Sequence, residues 1–271
     1  MEPSLQRRVQ RYGWDKASGY YEAYWQKQLY PAQQKLLQLA NKKDGDKIID
    51  IACGTGLVSF PAAELVGEKG SVLANDISDK MVETGTGIAK EKKLSNISFQ
   101  RMDAEELTVE DDSYNIALCA LGLMYFPDPL KAMKEMHRSL KPGGHVVMAV
   151  WGQRKNCGWA EVFEIVDRRV ASEVCPMFFN LGNEGTLQKY MSAAGFKNIS
   201  VERINSVLNY SSGEEACGAA FLGGPVALAF SKFSEGVKKE VYKEYIESIE
   251  SFKETDGYHV PGEFVVAIGF K

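Results

Sequence analysis

Lys47-Ile48-Ile49-Asp50-Ile51-Ala52-Cys53-Gly54-Thr55-Gly56-Leu57 is the stretch that decides the fold, because a strand of buried character breaks into glycines and then leads into a helix. Glycines at the end of a strand let the backbone turn sharply and leave no side chain between the main chain and a ligand. The stretch therefore predicts a strand, a tight turn and a helix, with a nucleoside-sized cofactor held at the turn.

A second predicted strand, residues 71–76, ends in Asp76, about twenty residues beyond Gly56. An acid at this distance accepts hydrogen bonds from both ribose hydroxyls of a nucleoside. Hydrogen bonds to a charged group contribute roughly 1.5–3 kcal/mol each, so Asp76 is expected to matter more for affinity than any single apolar contact. The alternative is an aspartate that only caps the next helix.

The third residue after Gly56 distinguishes between two classes of ligand. A dinucleotide-binding fold favours a third glycine, Gly-x-Gly-x-x-Gly, which lets a helix N-terminus approach a pyrophosphate. Ser59 stands at that position. The pattern therefore favours a ligand without phosphate, while a nicotinamide-dependent oxidoreductase of the same fold class remains an alternative.

The run from Asp50 to Gly56 resembles the first motif of class I S-adenosylmethionine-dependent methyltransferases, an acid and two small residues before Gly-x-Gly. Three further segments resemble later motifs of that family in the same order: residues 99–107, 112–125 and 140–148. The resemblance is nearest to the small-molecule branch that includes ubiquinone and menaquinone biosynthesis C-methyltransferases. It implies S-adenosylmethionine as cofactor, S-adenosylhomocysteine as product, and in-line transfer of a methyl group to a small-molecule acceptor. A cofactor-binding protein without catalytic activity is a further alternative.

The resemblance also implies roles for individual residues around the cofactor. Gly54 and Gly56 would allow close backbone approach, and Asp50 would orient the methionine amino group. Asp103 would accept a hydrogen bond from the adenine amino group. The other implied cofactor contacts are small, apolar or aromatic residues: Tyr21, Trp25, Ala52, Cys53, Thr55, Ile77, Met81, Met102, Ala104, Cys119, Ala120 and Leu121. Core packing is an equal alternative for the two aromatic members of this set.

The acceptor side is less defined by the sequence. Five aromatic residues are predicted to line it: Tyr20, Tyr125, Trp151, Trp159 and Tyr258. An aromatic lining of this kind suits an apolar or aromatic acceptor, or a cationic amine held over the rings. His259 precedes the predicted last strand and is the candidate general base, with a surface loop histidine as the alternative. No metal site is predicted.

Strand and helix patterns alternate, which predicts a Rossmann-like α/β fold with a seven-stranded, mostly parallel sheet and helices on both faces. The resemblance implies that the last strand is antiparallel. We expect residues 1–44 to form a helical lid and residues 45–271 the methyltransferase core, with cap insertions at 152–183 and 209–262. Strands are predicted near residues 47–52, 71–76, 97–102, 115–120, 145–151, 199–208 and 263–270.

The bulk composition is that of an ordinary globular protein: 271 residues, 45% hydrophobic and 25% charged, with a net charge of −4. An acidic chain lacks the positive charge that a nucleic-acid backbone requires, so no nucleic-acid partner is expected. Five cysteines without Cys-x-x-Cys pairs favour a reducing compartment. With no signal peptide and no run of about 18 apolar residues, we expect a cytoplasmic protein; its oligomeric state is not predicted.

Overall fold

The structure is a computed structural model that describes residues 2–171, 175 and 177–271. One sheet of eight strands runs through the described part of the chain in the order β3-β2-β1-β4-β5-β8-β6, with β7 paired to β8. The strands are β1 (Lys47–Ile51), β2 (Ser71–Asp76), β3 (Ile97–Arg101), β4 (Tyr114–Ala120), β5 (Leu140–Trp151), β6 (Lys197–Tyr210), β7 (Lys253–Glu254) and β8 (Gly257–Phe270).

Strands β1 to β5 pair in parallel, and β8 pairs antiparallel to both β5 and β6. Strand β1 and the second half of β5 are almost continuously buried, as expected for parallel strands covered on both faces. The mostly parallel sheet with an antiparallel last strand is therefore confirmed. The eighth strand is the two-residue β7, which forms a short hairpin with β8.

Nine α-helices are found among the described residues, and they flank both faces of the sheet. They are α1 (Pro3–Leu39), α2 (Ser59–Val66), α3 (Asp79–Glu91), α4 (Pro129–Ser139), α5 (Glu161–Asp167), α6 (Thr186–Ala193), α7 (Gly213–Cys217), α8 (Ala227–Phe230) and α9 (Glu235–Ile249). Helix α9 buries Val241, Tyr245 and Ile249, which repeat at helical spacing.

The order of strands reverses between β1 and β4, and a crevice opens there at their carboxyl ends. The two turns that leave these strands both carry a non-glycine residue in the left-handed region, Ala52 with φ 55° and Leu121 with φ 63°. Such conformations cost about 1–3 kcal/mol each and cluster at ligand sites. The crevice is therefore the place where a ligand site is expected.

Helix α1 joins the core to this crevice. Its second half contributes Leu29, Ala32 and Leu36 to the hydrophobic core, while its first half reaches the loops beyond β2 and β3. Two of the predicted segments extend outside the described residues: Met1 of the lid segment, and residues 172–174 and 176 of the insertion at 152–183.

Candidate active site

The carboxyl ends of β1 to β4 surround a partly open cavity, here called the strand-end cleft. The turns after these strands form its floor and sides, and the first half of α1 covers it. Eleven of the predicted cofactor contacts line it: Tyr21, Ala52, Gly54, Asp76, Ile77, Met81, Met102, Asp103, Ala104, Ala120 and Leu121. The structure thus brings together residues that are spread over 100 positions of the sequence.

Asp76 lies at the tip of β2 with its carboxylate fixed by two backbone donors. The N–H of Gly54 donates to Oδ2 and the N–H of Ser78 donates to Oδ1, each at 2.9 Å. Each oxygen keeps a further lone pair, since a carboxylate accepts about four hydrogen bonds in all. Burial raises the pKa of Asp76 above its usual range.

Asp50 lies behind the cleft rather than in its lining. Ser59 Oγ donates to its Oδ2 at 2.5 Å, whereas Oδ1 is buried without a partner among the described residues. Burial raises the pKa of this carboxyl to about 7, and the nearby Asp76 adds to the effect. Ser59 stands where the dinucleotide pattern has its third glycine. Its hydroxyl therefore acts as the hydrogen-bond donor to Asp50, the acid of the first motif.

The two turns favour glycine for different reasons, a left-handed backbone at Gly54 and close packing at Gly122. Gly54 has φ +57°, and a Cβ there would stand 3.4 Å from the ring of Tyr21, which lies across the turn. A Cβ on Gly122, in the turn after β4, would come within 2.4 Å of the Cβ of Ala52. The turns of β1 and β4 thus touch beneath the cleft.

The far end of the cleft, next to β3, is closed by an arginine from α1. Arg7 forms an ion pair with Asp103 at 2.8 Å and a second one with the buried Glu105. Asp103 also accepts from the backbone N–H of Glu105 at 2.9 Å. Asp103 therefore lies in the lining as predicted, and its carboxylate is shared with α1.

A second, smaller cavity adjoins the first and is here called the aromatic pocket. The two cavities share four lining residues and so adjoin each other: Trp14, Tyr21, Leu121 and Tyr125. The other lining residues are Trp25, Leu29, Trp151, Trp159, Phe178 and Pro225. None of the described lining residues carries a carboxylate, an imidazole or an amine.

Several predicted residues lie around these cavities without lining them. Cys53, Thr55, Gly56 and Cys119 are predicted cofactor contacts that lie outside the lining of the strand-end cleft. The first two and the last of these are buried, and Phe60 and Phe99 stand against Gly56. Trp25, predicted at the cofactor, lines the aromatic pocket instead, because its indole turns toward Trp151 and Trp159.

Three predicted residues are not brought to either cavity. Tyr20 is 47% exposed and stacks on Tyr24 at the outer face of α1. Tyr258 is buried and its hydroxyl donates to Glu250 at 3.3 Å. His259 bonds to Asn209 and Asp256 at the surface, at 2.6 and 2.9 Å.

Tyr258 and His259 lie away from both cavities for the same reason. Strand β8 begins at Gly257 rather than near residue 263. Its first residues pair with the end of β6 and not with β5, which places them beyond the edge of the parallel strands. The geometry gives no support for His259 as a base in the cleft.

Several of the lining residues are not predicted by the sequence motifs. Asn75, next to Asp76, is 1% exposed, and neither atom of its amide has a partner among the described residues. A buried amide in the middle of a strand pattern is a signal that could have been used. Trp14, Gln10 and Phe178 reach the cavities only through tertiary packing, which no local pattern predicts.

Comparison with known proteins identifies the family to which the chain belongs. Residues 24–207 match the ubiE/COQ5 methyltransferase family. The chain belongs to this family. It is accordingly an S-adenosylmethionine-dependent methyltransferase that acts on a small-molecule acceptor, as the sequence motifs predicted.

Relatives of the family are similar over most of the core. A demethylmenaquinone methyltransferase of Staphylococcus epidermidis is 32% identical over 183 residues, which cover 62% of this chain and 75% of that protein. One of Bacillus velezensis is 34% identical over 131 residues, covering 48% of this chain and 56% of that protein.

Solved structures confirm the fold at lower identity. A putative methyltransferase of Bacillus halodurans superposes with a TM-score of 0.62 at 19% identity, over 89% of this chain and 99% of that one. A phosphoethanolamine N-methyltransferase 2 of Haemonchus contortus, in complex with S-adenosyl-L-methionine, gives a TM-score of 0.62 at 18% identity, over 95% of this chain and 57% of that one.

The residues of the strand-end cleft fit the methyltransferase cofactor. The buried acids Asp50 and Asp76 are met by neutral donors, Ser59 and two backbone N–H groups, so a ligand with cationic sulfonium and ammonium groups would relieve their repulsion. Ser59 in place of a third glycine, rather than either acid, disfavours the pyrophosphate of a nicotinamide dinucleotide. The alternatives of an oxidoreductase and of a non-catalytic binder receive no support from the family or from the site.

Proposed function

We propose that the acceptor of the methyl group is the ring of a quinol and that the ring occupies the aromatic pocket. The observation that carries the proposal is that this pocket adjoins the strand-end cleft and shares Tyr21 and Tyr125 with it. A flat apolar ring is suited to a pocket walled by indoles and phenyl rings. The relatives named demethylmenaquinone methyltransferase support the same acceptor class.

The residues of the cleft would hold the cofactor in a defined direction. Asp76 would accept from the ribose hydroxyls with its two free lone pairs, and Gly54 would let the chain lie close below the sugar. Asp103, held by Arg7, would reach the adenine amino group. When bound, the cofactor supplies an electrophilic methyl group on sulfur.

The chain would contribute positioning and exclusion of water more than proton transfer. Holding two reactants in line contributes about 7–11 kcal/mol to a reaction of this kind. The described residues of the aromatic pocket include no carboxylate or histidine. The acceptor must therefore bring its own electron density, as the reduced ring does through its phenolic oxygens.

A methyl-transfer assay tests the proposal. The full chain is incubated anaerobically with S-adenosylmethionine and a short-chain demethylmenaquinone, with and without a chemical reductant. We expect S-adenosylhomocysteine and a ring-methylated product with the reductant, and neither without it. Product from an aromatic amine but none from the quinol would overturn the quinol assignment and favour the cationic acceptor.

Among the described residues, no helix is both long enough and apolar enough to cross a membrane.

All five cysteines are free and buried. Free thiols are typical of reducing compartments, and we propose a cytoplasmic location on that ground.

A further inference from the structure

Strand β6 is an edge of the sheet, and its outer side pairs with no other strand among the described residues. Its pairing with β8 runs without interruption from Ser200 to Tyr210. Most of its side chains are exposed, including two apolar ones, Val201 at 38% and Val207 at 48%. A long edge strand with free backbone groups is a template to which a further strand can add.

Gln28 of α1 shows which backbone groups of β6 point outward. Its side-chain amide accepts from the N–H of Asn209 at 3.0 Å and donates to the carbonyl of Asn209 at 2.7 Å, as a neighbouring strand would. The backbone groups of an antiparallel strand face its two sides alternately, so every second residue before Asn209 also faces outward. These residues are Val201, Arg203, Asn205 and Val207.

The outward backbone groups of these four residues are almost entirely open. The side-chain amide of Asn209 donates to the carbonyl of Val207 at 3.3 Å, and no other described residue bonds to them. Unpaired N–H and C=O groups in a row can be satisfied together by one added strand. The open stretch therefore runs from Val201 to Val207 and ends where Gln28 begins.

The two charged side chains in the middle of this stretch are neutralised within the chain. Glu202 pairs with Lys35 of α1 at 2.7 Å, and Arg203 pairs with the buried Glu263 of β8 at 2.9 Å. Arg203 also donates to the carbonyl of Gly182 at 2.8 Å. Charges on an edge strand usually repel an added strand. Here each charge already has an opposite partner, so that protection is weak.

The open stretch is complementary to a second copy of itself. In an antiparallel pair with its twofold axis at Ile204, Val201 of each copy would stand opposite Val207 of the other. The two Ile204 side chains would meet at the axis, and Arg203 would face Asn205. Apolar and β-branched pairs of this kind stabilise neighbouring strands. The two exposed valines would thus cover each other.

Other registers of the same pair are less favourable. Centring it on Glu202 or Arg203 would place identical charges opposite each other. Centring it on Asn205 would need backbone groups that Gln28 already occupies. The register centred on Ile204 avoids both conflicts and uses all four outward residues.

The side of α1 beside β6 is compatible with this pairing. A surface groove runs between the helix and the strand, and its lining is mainly uncharged: Pro31, Gln34, Lys35, Gln38, Glu202 and Ile204. Its two charged members pair with each other. The helix of a second copy would therefore meet amides and not a like charge.

We propose that the protein forms a twofold-symmetric dimer through β6, in which the sheets of two copies join edge to edge. About eight backbone hydrogen bonds would link residues 201–207 of the two copies. Strands β5 and β8 separate β6 from β4 at the strand-end cleft. The dimer therefore depends neither on the cofactor nor on the nature of the acceptor.

Sedimentation velocity of the full chain over a wide range of concentrations measures the association. We expect the mass of two chains at high concentration and of one chain on dilution. Val207→Glu should raise the dissociation constant of the dimer by about tenfold or more, because it places a carboxylate against an apolar neighbour at two symmetric positions. Val201→Lys should do the same.

The double variant Val201→Lys with Val207→Glu tests the register. Each lysine would then face a glutamate of the other copy, so the dissociation constant should return toward that of the parent. The two positions lie about 20 Å apart along one strand, so they do not pair within a chain. Each variant should keep the unfolding temperature of the monomer and its affinity for S-adenosylhomocysteine.

Oxidative cross-linking gives an independent readout. Ile204→Cys would place two thiols at the axis with Cβ atoms about 4.5–5.5 Å apart, close to the spacing of a disulfide. Ser206→Cys is the matched control on the same face of the strand, where the two thiols would be about 13 Å apart. The five native cysteines are buried and do not compete. We expect a covalent dimer from Ile204→Cys and little from the control.

A parent that sediments as a monomer at every concentration would overturn the dimer. A dimer that Val207→Glu leaves intact, or one that cross-links as readily in Ser206→Cys as in Ile204→Cys, would place the interface on another surface and overturn the role of β6. None of these outcomes bears on the methyl acceptor, so the proposed function is tested separately.

Discussion

Asp76 shows how one carboxylate organises the cofactor side of the site. Its two oxygens accept the N–H groups of Gly54 and Ser78, which belong to the turns after β1 and β2. The same oxygens face the strand-end cleft. The acid therefore links the shape of the glycine turn to the carboxylate that we propose binds the ribose.

Asp76→Asn is expected to raise the dissociation constant of S-adenosylhomocysteine by about tenfold or more, because an amide loses one accepting oxygen and the negative charge. Calorimetric titration measures the change. Asp79→Asn is the control, since Asp79 is 41% exposed and pairs with Arg11 outside the cleft. Equal constants for Asp76→Asn and the parent would show that the ribose lies elsewhere.

Asp50 makes the stability of the protein depend on pH in a direction opposite to that of most acids. Burial raises its pKa to about 7 in the folded state, whereas the unfolded chain loses this proton near pH 4, about the ordinary value for an aspartate. Its contribution to stability is therefore fully present below about pH 4 and is lost as the pH rises through about 7.

We expect the free energy of unfolding to fall less steeply between about pH 5 and pH 8 in Asp50→Asn than in the parent, because the amide does not titrate. Urea unfolding at several pH values measures both slopes, and the difference between them isolates Asp50 from other groups. Parallel slopes would mean that the carboxyl titrates in its ordinary range.

At the scale of elements, the first half of α1 is held across the cleft by charged and polar contacts. Arg7 pairs with Asp103 and Glu105, and Asp15 accepts from the hydroxyl of Ser78 at 2.6 Å. These contacts join the helix to the loops after β2 and β3. We propose on this basis that residues 1–44 act as a lid and that the first half of α1 moves away from the cleft to admit the cofactor.

Arg7→Gln is expected to increase amide hydrogen exchange in residues 3–20 and to speed the release of S-adenosylhomocysteine, because the buried Glu105 loses its cationic partner. Mass spectrometry measures the hydrogen exchange of residues 3–20. Arg8→Gln is the control, since Arg8 is exposed. Unchanged protection in Arg7→Gln would show that the ion pairs do not hold the lid.

The two strand-end turns make a second prediction at this scale. A methyl group on Gly122 would stand 2.4 Å from the Cβ of Ala52, whereas one on Gly87, in α3, would meet nothing within 4 Å. Gly122→Ala should lower the free energy of unfolding by about 1–3 kcal/mol and weaken cofactor binding. Gly87→Ala should stabilise by about 0.5–1 kcal/mol. Chemical denaturation of both variants would reveal whether the turns really touch.

At the scale of the whole molecule, the cofactor is expected to bind only the folded chain, because its contacts come from four strand ends and one helix. At a hundredfold excess over its dissociation constant, S-adenosylhomocysteine should add about 2.7 kcal/mol to stability. This corresponds to a rise in unfolding temperature of about 5–10 °C for a chain of this size. A thermal scan that shifts with NADH instead would contradict the cofactor assignment.

The sequence by itself determined the sheet and the cofactor floor. Asp76 ends β2, and Gly54 and Asp103 lie within three residues of the ends of β1 and β3. Residues at the carboxyl ends of parallel strands meet at one edge of the sheet. Their positions depend on local turn chemistry, which is written in a few neighbouring residues. Ala104 and Leu121, which the family resemblance implied, also line the strand-end cleft.

Only the tertiary structure decided the acceptor side. Trp25, Tyr20 and Tyr258 were recognisable as aromatic residues, but the direction of each ring depends on how α1 is rotated and where β8 begins to pair. Helical or strand periodicity indicates which face is buried and not what that face is buried against. The aromatic pocket arises from elements far apart in the chain, so its shape follows from packing alone.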